Sequence, residues 1–155
     1  MYKNWIIPCI ILFVIFGGCS LSPDPDAIKN YTVKYDGIYF QDQGVMDFGN
    51  GYRFRVWGAI RFFEDGIVTE VSLSSEVSER DPSDFIKKLT WFNREYESRG
   101  VYTIKGNQIS FSINSTSGIV DYAGIIMDDE LLLNSYSHIN GYKGENELFK
   151  FIPFK

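Results

Sequence analysis

The sequence has very few of the side chains that hold metal ions or act as nucleophiles. It contains two cysteines, Cys9 and Cys19, and one histidine, His138, in 155 residues. Cys9 falls within an apolar leader, so at most one thiol remains in the rest of the chain, which excludes an internal disulfide, a zinc ribbon or an iron–sulfur cluster there. A lone imidazole cannot complete a catalytic triad, and we interpret His138 as a surface residue.

Motifs that carry enzymatic chemistry are also missing. The sequence contains no zinc-protease pattern, phosphate-binding loop, nucleophile elbow or calcium loop. Asp128, Asp129 and Glu130 are consecutive, so their carboxylates point in alternating directions in a strand, and we interpret them as a solvated turn. We therefore predict a protein that is not an enzyme and that uses no cofactor or metal.

Basic residues are outnumbered by acidic ones. The chain has 15 Lys and Arg against 20 Asp and Glu, for a formal net charge of −5. Phosphate backbones repel a chain of this charge, so we expect no nucleic acid among its partners.

The chain begins with a short apolar leader. Lys3 supplies a positive charge, and the run from Trp5 to Phe16 is almost entirely apolar. About a dozen apolar residues fit the core of an export signal, whereas a spanning helix needs roughly 20. The pattern predicts an export signal.

The sequence Phe-Gly-Gly-Cys at positions 16–19 resembles the lipobox of bacterial lipoproteins, in which small residues precede an invariant cysteine. The resemblance implies that residues 1–18 are a signal peptide and that Cys19 carries acyl chains such as palmitate, which anchor the chain to a membrane of the cell envelope. Ser20 resembles the residue that directs such lipoproteins to the outer membrane. An uncleaved amphipathic or spanning anchor is the alternative.

The residues after Cys19 divide into a linker and a folded domain. Two prolines, two aspartates and two serines between Ser20 and Asp26 predict an extended linker, so that residues 19–30 form the lipidated cysteine and linker and residues 31–155 form one domain. Hydrophobic residues make up 45% of the chain and aromatic residues 17%, which excludes a disordered domain.

Alternation with a period of two predicts that this domain is mostly β. Turn signals such as Glu64-Asp65-Gly66 and Gly106-Asn107 separate alternating segments. The predicted strands cover, in order, 35–41, 52–62, 67–73, 101–105, 108–113, 119–126, 130–138 and 148–152. About eight short strands favour an antiparallel meander that closes into a barrel, with a β-sandwich as the alternative.

One α-helix is predicted between the third and fourth strands. Asp81-Pro82 offers an N-cap followed by proline at the first helical position, and Gly100 marks the end. Four apolar residues repeat at helical spacing and should pack on the sheet. They are Phe85, Leu89, Phe92 and Tyr96.

The segment from Gly100 to Phe111, together with Tyr122–Ile126 and Leu131–Leu133, resembles the hairpins of lipocalin-like (calycin-like) bacterial lipoproteins. The resemblance implies a lipocalin-like barrel. Eight strands enclose room for side chains or for one small ligand.

The aromatic residues suggest a small apolar ligand inside the barrel. The candidate lining residues are Tyr52, Phe54, Tyr102, Phe111 and Tyr122. The alternative is a solid barrel that serves as an envelope protein-protein interaction or assembly module, with Trp57 and Phe63 as apolar residues on the outer, arginine-bearing face.

Overall fold

A computed structural model of the chain describes residues 31–47, 49–76, 89 and 92–154. The predicted signal peptide, Cys19 and the linker lie outside the described residues. So does most of the predicted helix, including Asp81, Pro82 and Phe85.

Eight strands form a closed antiparallel barrel, in which each strand pairs with its neighbours in sequence and β8 returns to β1. The strands are β1 (Gly37–Asp47), β2 (Arg53–Phe62), β3 (Ile67–Glu76), β4 (Arg99–Lys105), β5 (Gln108–Ser115), β6 (Gly118–Ile126), β7 (Glu130–Ser137) and β8 (Lys143–Pro153). This confirms the prediction of a mostly β, lipocalin-like meander barrel. The alternative, a β-sandwich of two separate sheets, is not formed.

Two of the hairpin turns depend on glycines that the sequence analysis had marked. Gly66 (φ 85°) and Gly106 (φ 63°) adopt left-handed conformations in the β2–β3 and β4–β5 turns. A backbone amide closes the first of these turns, because Phe63 N donates to the carbonyl oxygen of Ile67 at 2.9 Å. The predicted turns are therefore confirmed.

Two strands extend furthest beyond their predicted bounds, because bulges let them continue. β1 runs to Asp47 through a register shift between Asp42 and Gly44, and β8 already begins at Lys143 through a shift opposite Leu133–Ser135. A bulge inserts an extra residue without ending the pairing, which simple alternation does not reveal.

Aromatic rings fill the interior at one end of the barrel. The Phe62 ring makes edge-on contacts with Tyr39, Tyr102 and Phe111, with ring centroids 5.6, 5.1 and 5.6 Å away. Such pairs are worth about 0.5–1.5 kcal/mol each beyond their burial. We call this the closed end.

The segment before β1 covers the closed end. Val33 is buried against the same core, and the hydroxyls of Tyr35 and Tyr102 share a hydrogen bond of 3.2 Å. Lys34 forms an ion pair with Asp129 in the β6–β7 turn. Residues 31–36 therefore act as a plug.

At the opposite end the wall separates into two sheets. β1 pairs with β8 only over Gly37–Phe40, and β3 pairs with β4 only over Ile67–Thr69. Beyond these short ladders, β1, β2 and β3 continue together as one sheet, while β4 to β8 form the other. We call this the open end.

A second apolar cluster covers the outer face of β1, β2 and β3. Trp57 lies on this outer face, as predicted, but it is only 1% exposed, because Leu89 and Phe92 pack over it. Arg61 Nη1 donates to the carbonyl oxygen of Phe92 at 2.7 Å, and its guanidinium lies over the rings of Phe63 and Phe154. The expectation that Trp57 offers an exposed surface is wrong.

The predicted helix is corrected at its C-terminal end. Leu89 and Phe92 pack on the sheet as the helical stripe predicted, but the chain from Phe92 to Ser98 forms turns, and Gly100 belongs to β4 instead of following a helix. Gly100 is required there because a Cβ would overlap the carbonyl oxygen of Ser112 on the neighbouring strand.

We therefore expect Gly100→Ala to lower the free energy of unfolding by about 1–3 kcal/mol, the usual cost of overpacking. Urea denaturation measures the change. Thr103→Ser, at an exposed position of the same strand, is the control and should shift stability by less than about 0.5 kcal/mol. Equal stability of the Gly100→Ala protein and the unaltered chain would contradict the close approach of β4 and β5.

Candidate functional site

Polar side chains replace apolar ones inside the barrel toward the open end. Along the interior row of β3, Val68 is followed by Glu70, and along that of β8, Phe149 is preceded by Glu147. On β7, Leu133 is followed by Ser135. Because side chains in a strand alternate between faces, these polar groups point inward with the core residues.

A hydrogen bond between Glu70 and Tyr122 crosses this part of the interior. The Tyr122 hydroxyl on β6 donates to Glu70 Oε1 on β3 at 2.8 Å. Burial raises the pKa of the Glu70 carboxyl, and the negative charge of Glu147 raises it further, while the bond from Tyr122 acts in the opposite direction. Burial also raises the pKa of the Tyr122 hydroxyl, so this residue remains a donor at neutral pH.

Glu147 is held by two hydroxyl groups. Ser135 Oγ donates to Glu147 Oε2 at 2.6 Å, and the Tyr142 hydroxyl donates to Glu147 Oε1 at 3.5 Å. Gly144 makes room for this arrangement, since a Cβ at that position would overlap the Glu147 carboxyl and Ser135 Oγ. The two carboxylates, together with Tyr122, Tyr142 and Ser135, form what we call the open-end cluster.

In the part of the chain that the structure describes, no neighbouring cation neutralises the carboxylates of the open-end cluster. Among the described residues, no lysine, arginine or histidine lies within ion-pair distance of Glu70 or Glu147, whereas exposed Asp42 is paired with Arg55 at 2.6 Å. Enclosing a carboxylate without a cation costs stability. Natural proteins tolerate such costs mainly at functional sites, which makes this cluster the candidate site.

The structure brings together three of the five candidate lining residues. Phe111 and Tyr122 are buried, and their rings stack with centroids 4.8 Å apart. The Tyr102 ring contacts Phe62, which in turn contacts Phe111. Phe54 is half-buried in the interior row of β2, nearer the open end.

Tyr52 is not brought to the other candidates. Its side chain is 63% exposed, because β2 starts at Arg53 and Tyr52 belongs to the preceding turn, next to Gly51 (φ 81°). Glu70 and Glu147 were missed by the sequence analysis. The signal for Glu70 is present in the sequence, since Glu70 stands two positions after Val68 in the row that faces the core.

His138 lies outside the barrel, in the turn after β7. Its Nε2 is 2.7 Å from Asp121 Oδ2, and Ser112 Oγ donates to the other oxygen of the same carboxylate at 2.6 Å. These two hydrogen bonds hold the pKa of Asp121 below its usual range. The carboxylate stands between the imidazole and the hydroxyl, whereas nucleophile activation requires the imidazole in the middle.

Within the described ranges, no group of three or more His, Cys, Asp or Glu side chains is placed to hold a metal ion. No helix in this part of the chain has the length and apolar character to cross a membrane. No protein family model, curated protein or solved structure matches the chain.

The raised pKa of Glu70 predicts a specific pH dependence of stability. The folded chain binds this proton more tightly than the unfolded chain, so the contribution of Glu70 to stability falls as pH rises from the unfolded value, about 4.3, through the folded one. Glu70→Gln removes this contribution while keeping an oxygen that accepts from Tyr122. We therefore expect the stability of the variant, relative to the unaltered protein, to increase with pH.

Urea denaturation at several pH values between about 4 and 8 measures the effect. Glu145→Gln, at an exposed position of β8, is the matched control and should show no such trend. A stability difference that stays constant with pH in the Glu70→Gln protein would show that the carboxyl is not enclosed.

Proposed function

We propose that the chain is a non-enzymatic envelope lipoprotein. It is anchored through Cys19, and its barrel binds a small ligand at the open end. One observation carries the proposal: the interior is packed at one end and polar at the other, and no cation of the described residues neutralises its carboxylates there. A barrel that served only as a scaffold would gain stability from apolar residues at Glu70 and Glu147.

The packed half limits the depth that a ligand reaches. Phe62, Phe111 and Phe149 fill the interior of the closed half of the barrel and are all at most 5% exposed. Close-packed rings leave no space for a second molecule without rearrangement. The ligand therefore occupies the region between the two sheets at the open end, above the Phe111–Tyr122 stack.

The open end favours an amphiphilic ligand over a wholly apolar one. Half-buried Phe54 and Val120 offer apolar contacts at the open end, while Glu70, deeper in the interior, accepts hydrogen bonds. A ligand head group that donates hydrogen bonds or carries a positive charge interacts favourably with the carboxylates. An alkyl group in the same place would exclude water and leave the carboxylates without partners. Fixed polar groups in an otherwise apolar cleft are typical of small-molecule sites.

The surface that suggested the alternative function, a protein-binding scaffold, is not exposed. Leu89 and Phe92 cover Trp57, and Phe63 is half-buried against the Arg61 guanidinium. Neither side chain presents an open apolar patch. Ligand binding at the open end is therefore the better supported function.

Three fluorescent probes, which share one alkyl chain and differ only in their head group, test this function. The ammonium and hydroxyl forms should bind saturably, and the carboxylate form should bind at least about 10-fold more weakly, equivalent to about 1.4 kcal/mol. Glu70→Gln should reduce the preference for the ammonium head, and Tyr52→Phe, far from the open-end cluster, should leave it unchanged. If neither the ammonium nor the hydroxyl probe binds, the proposed function fails.

The anchor is tested separately by Cys19→Ser. The unaltered protein should fractionate with membranes, begin at residue 19 and carry acyl mass, whereas the variant should carry none, because serine offers no thiol for acylation. Membrane fractionation measures the first property, and mass spectrometry of the intact protein measures the first residue and the acyl mass. A native protein that keeps Met1 and has no acyl mass contradicts the lipoprotein assignment.

A further inference from the structure

A second site lies on the outside of the barrel, where the β7–β8 bulge opens a surface pocket of about 580 Å³. Small-molecule pockets typically measure roughly 300–1,000 Å³. The pocket sits where the pairing shifts near Ser135, and Asn146 adopts a left-handed conformation (φ 54°) at the bulge. Asn134, Tyr136, Lys143, Glu145 and Asn146 contribute to its walls.

An aromatic ring forms one side of this pocket. Tyr136 is 39% exposed and stands directly across from Lys143 in the β7–β8 ladder. The Lys143 ammonium is 5.9 Å from the centre of the Tyr136 ring, and the His138 ring meets it edge-on at 4.8 Å. These two contacts limit the motion of the ring, and its exposed part stays accessible to a ligand.

Hydrogen-bond donors and acceptors are intermixed around the ring. Asn134 Oδ1 accepts from the backbone amide of Asn146 at 2.8 Å, which fixes the side chain and leaves its NH₂ group to donate. Lys143 supplies further donors, and the Glu145 carboxylate supplies acceptors. One positive and one negative side chain leave the walls with no net charge.

This combination identifies the chemistry of the ligand. A ligand with a single charge would be attracted by one of Lys143 and Glu145 and repelled by the other, so that its charge gains little, and an apolar ligand would leave the amides unsatisfied. A saccharide has hydroxyl groups that both donate and accept, and its C–H face packs on an aromatic ring. We propose that the β7–β8 pocket binds a neutral saccharide.

The surface beside the pocket favours more than one sugar ring. Tyr136 also stands across from Asp121 in the β6–β7 ladder, and half-buried Asp121 is bonded to Ser112 and His138, which are both exposed. These polar groups extend the pocket as a strip over the outer face of β5 and β6. A short oligosaccharide fits this strip better than a single sugar.

Titration of the ¹⁵N-labelled native protein with maltotriose, cellotriose and chitotriose tests the proposal by NMR. We expect at least one of them to bind with a dissociation constant in the millimolar range, and to shift the amides of residues 134–146. Tyr136→Ala should weaken that binding at least about 10-fold, whereas Tyr52→Ala, at another exposed tyrosine, should leave it unchanged. Thermal melting of both variants checks that they fold.

A second binding experiment uses a variant in which the charge of the pocket is changed. Glu145→Gln leaves Lys143 uncompensated, so an anionic trisaccharide of galacturonic acid should bind this variant about 2- to 5-fold more tightly than it binds the unaltered protein. The proposal is overturned if no neutral trisaccharide shifts residues 134–146, if the shifts survive Tyr136→Ala, or if the anionic sugar binds the unaltered protein more tightly than the neutral ones.

Discussion

The packing of aromatic rings around Phe62 is the constraint on which the rest of the barrel depends. The sheet closes through only two short ladders, β1 with β8 and β3 with β4, so backbone pairing alone joins its halves weakly. Phe62 on β2 contacts Tyr39 on β1, Tyr102 on β4 and Phe111 on β5, and so connects strands on both sides of the β3–β4 ladder. Since the described residues contain no cysteine, they form no disulfide, and their stability depends on this packing.

Because the apolar core that stabilises the barrel lies at the closed end, the interior at the open end can hold polar side chains. The interior rows that hold Val68, Leu133 and Phe149 continue into Glu70, Ser135 and Glu147 without any change in strand direction. The same eight strands thus provide both a rigid base and a polar opening. Rigid elements hold binding groups more accurately than loops do, which suits recognition of a small molecule.

Local patterns predicted most of the strands and turns, because alternation and glycine-containing turns act over a few residues, as at Gly66 and Gly106. The helical spacing predicted that Leu89 and Phe92 pack on the sheet, but not that they cover Trp57, because that depends on where a distant part of the chain returns to the barrel. The open-end cluster was missed for a similar reason. Glu70 and Tyr122 are 52 positions apart and meet only when the sheet curls into a barrel.

The plug formed by residues 31–36 determines at which end of the barrel the N-terminal segment is attached. The chain leaves the barrel at the plugged end, and the eleven residues from Ser20 to Asn30 extend at most roughly 40 Å. For a chain tethered at Cys19, the tether then joins the barrel at its plugged end, opposite the mouth between the two sheets. In that arrangement the anchor does not obstruct the mouth, and a ligand would reach it from solution.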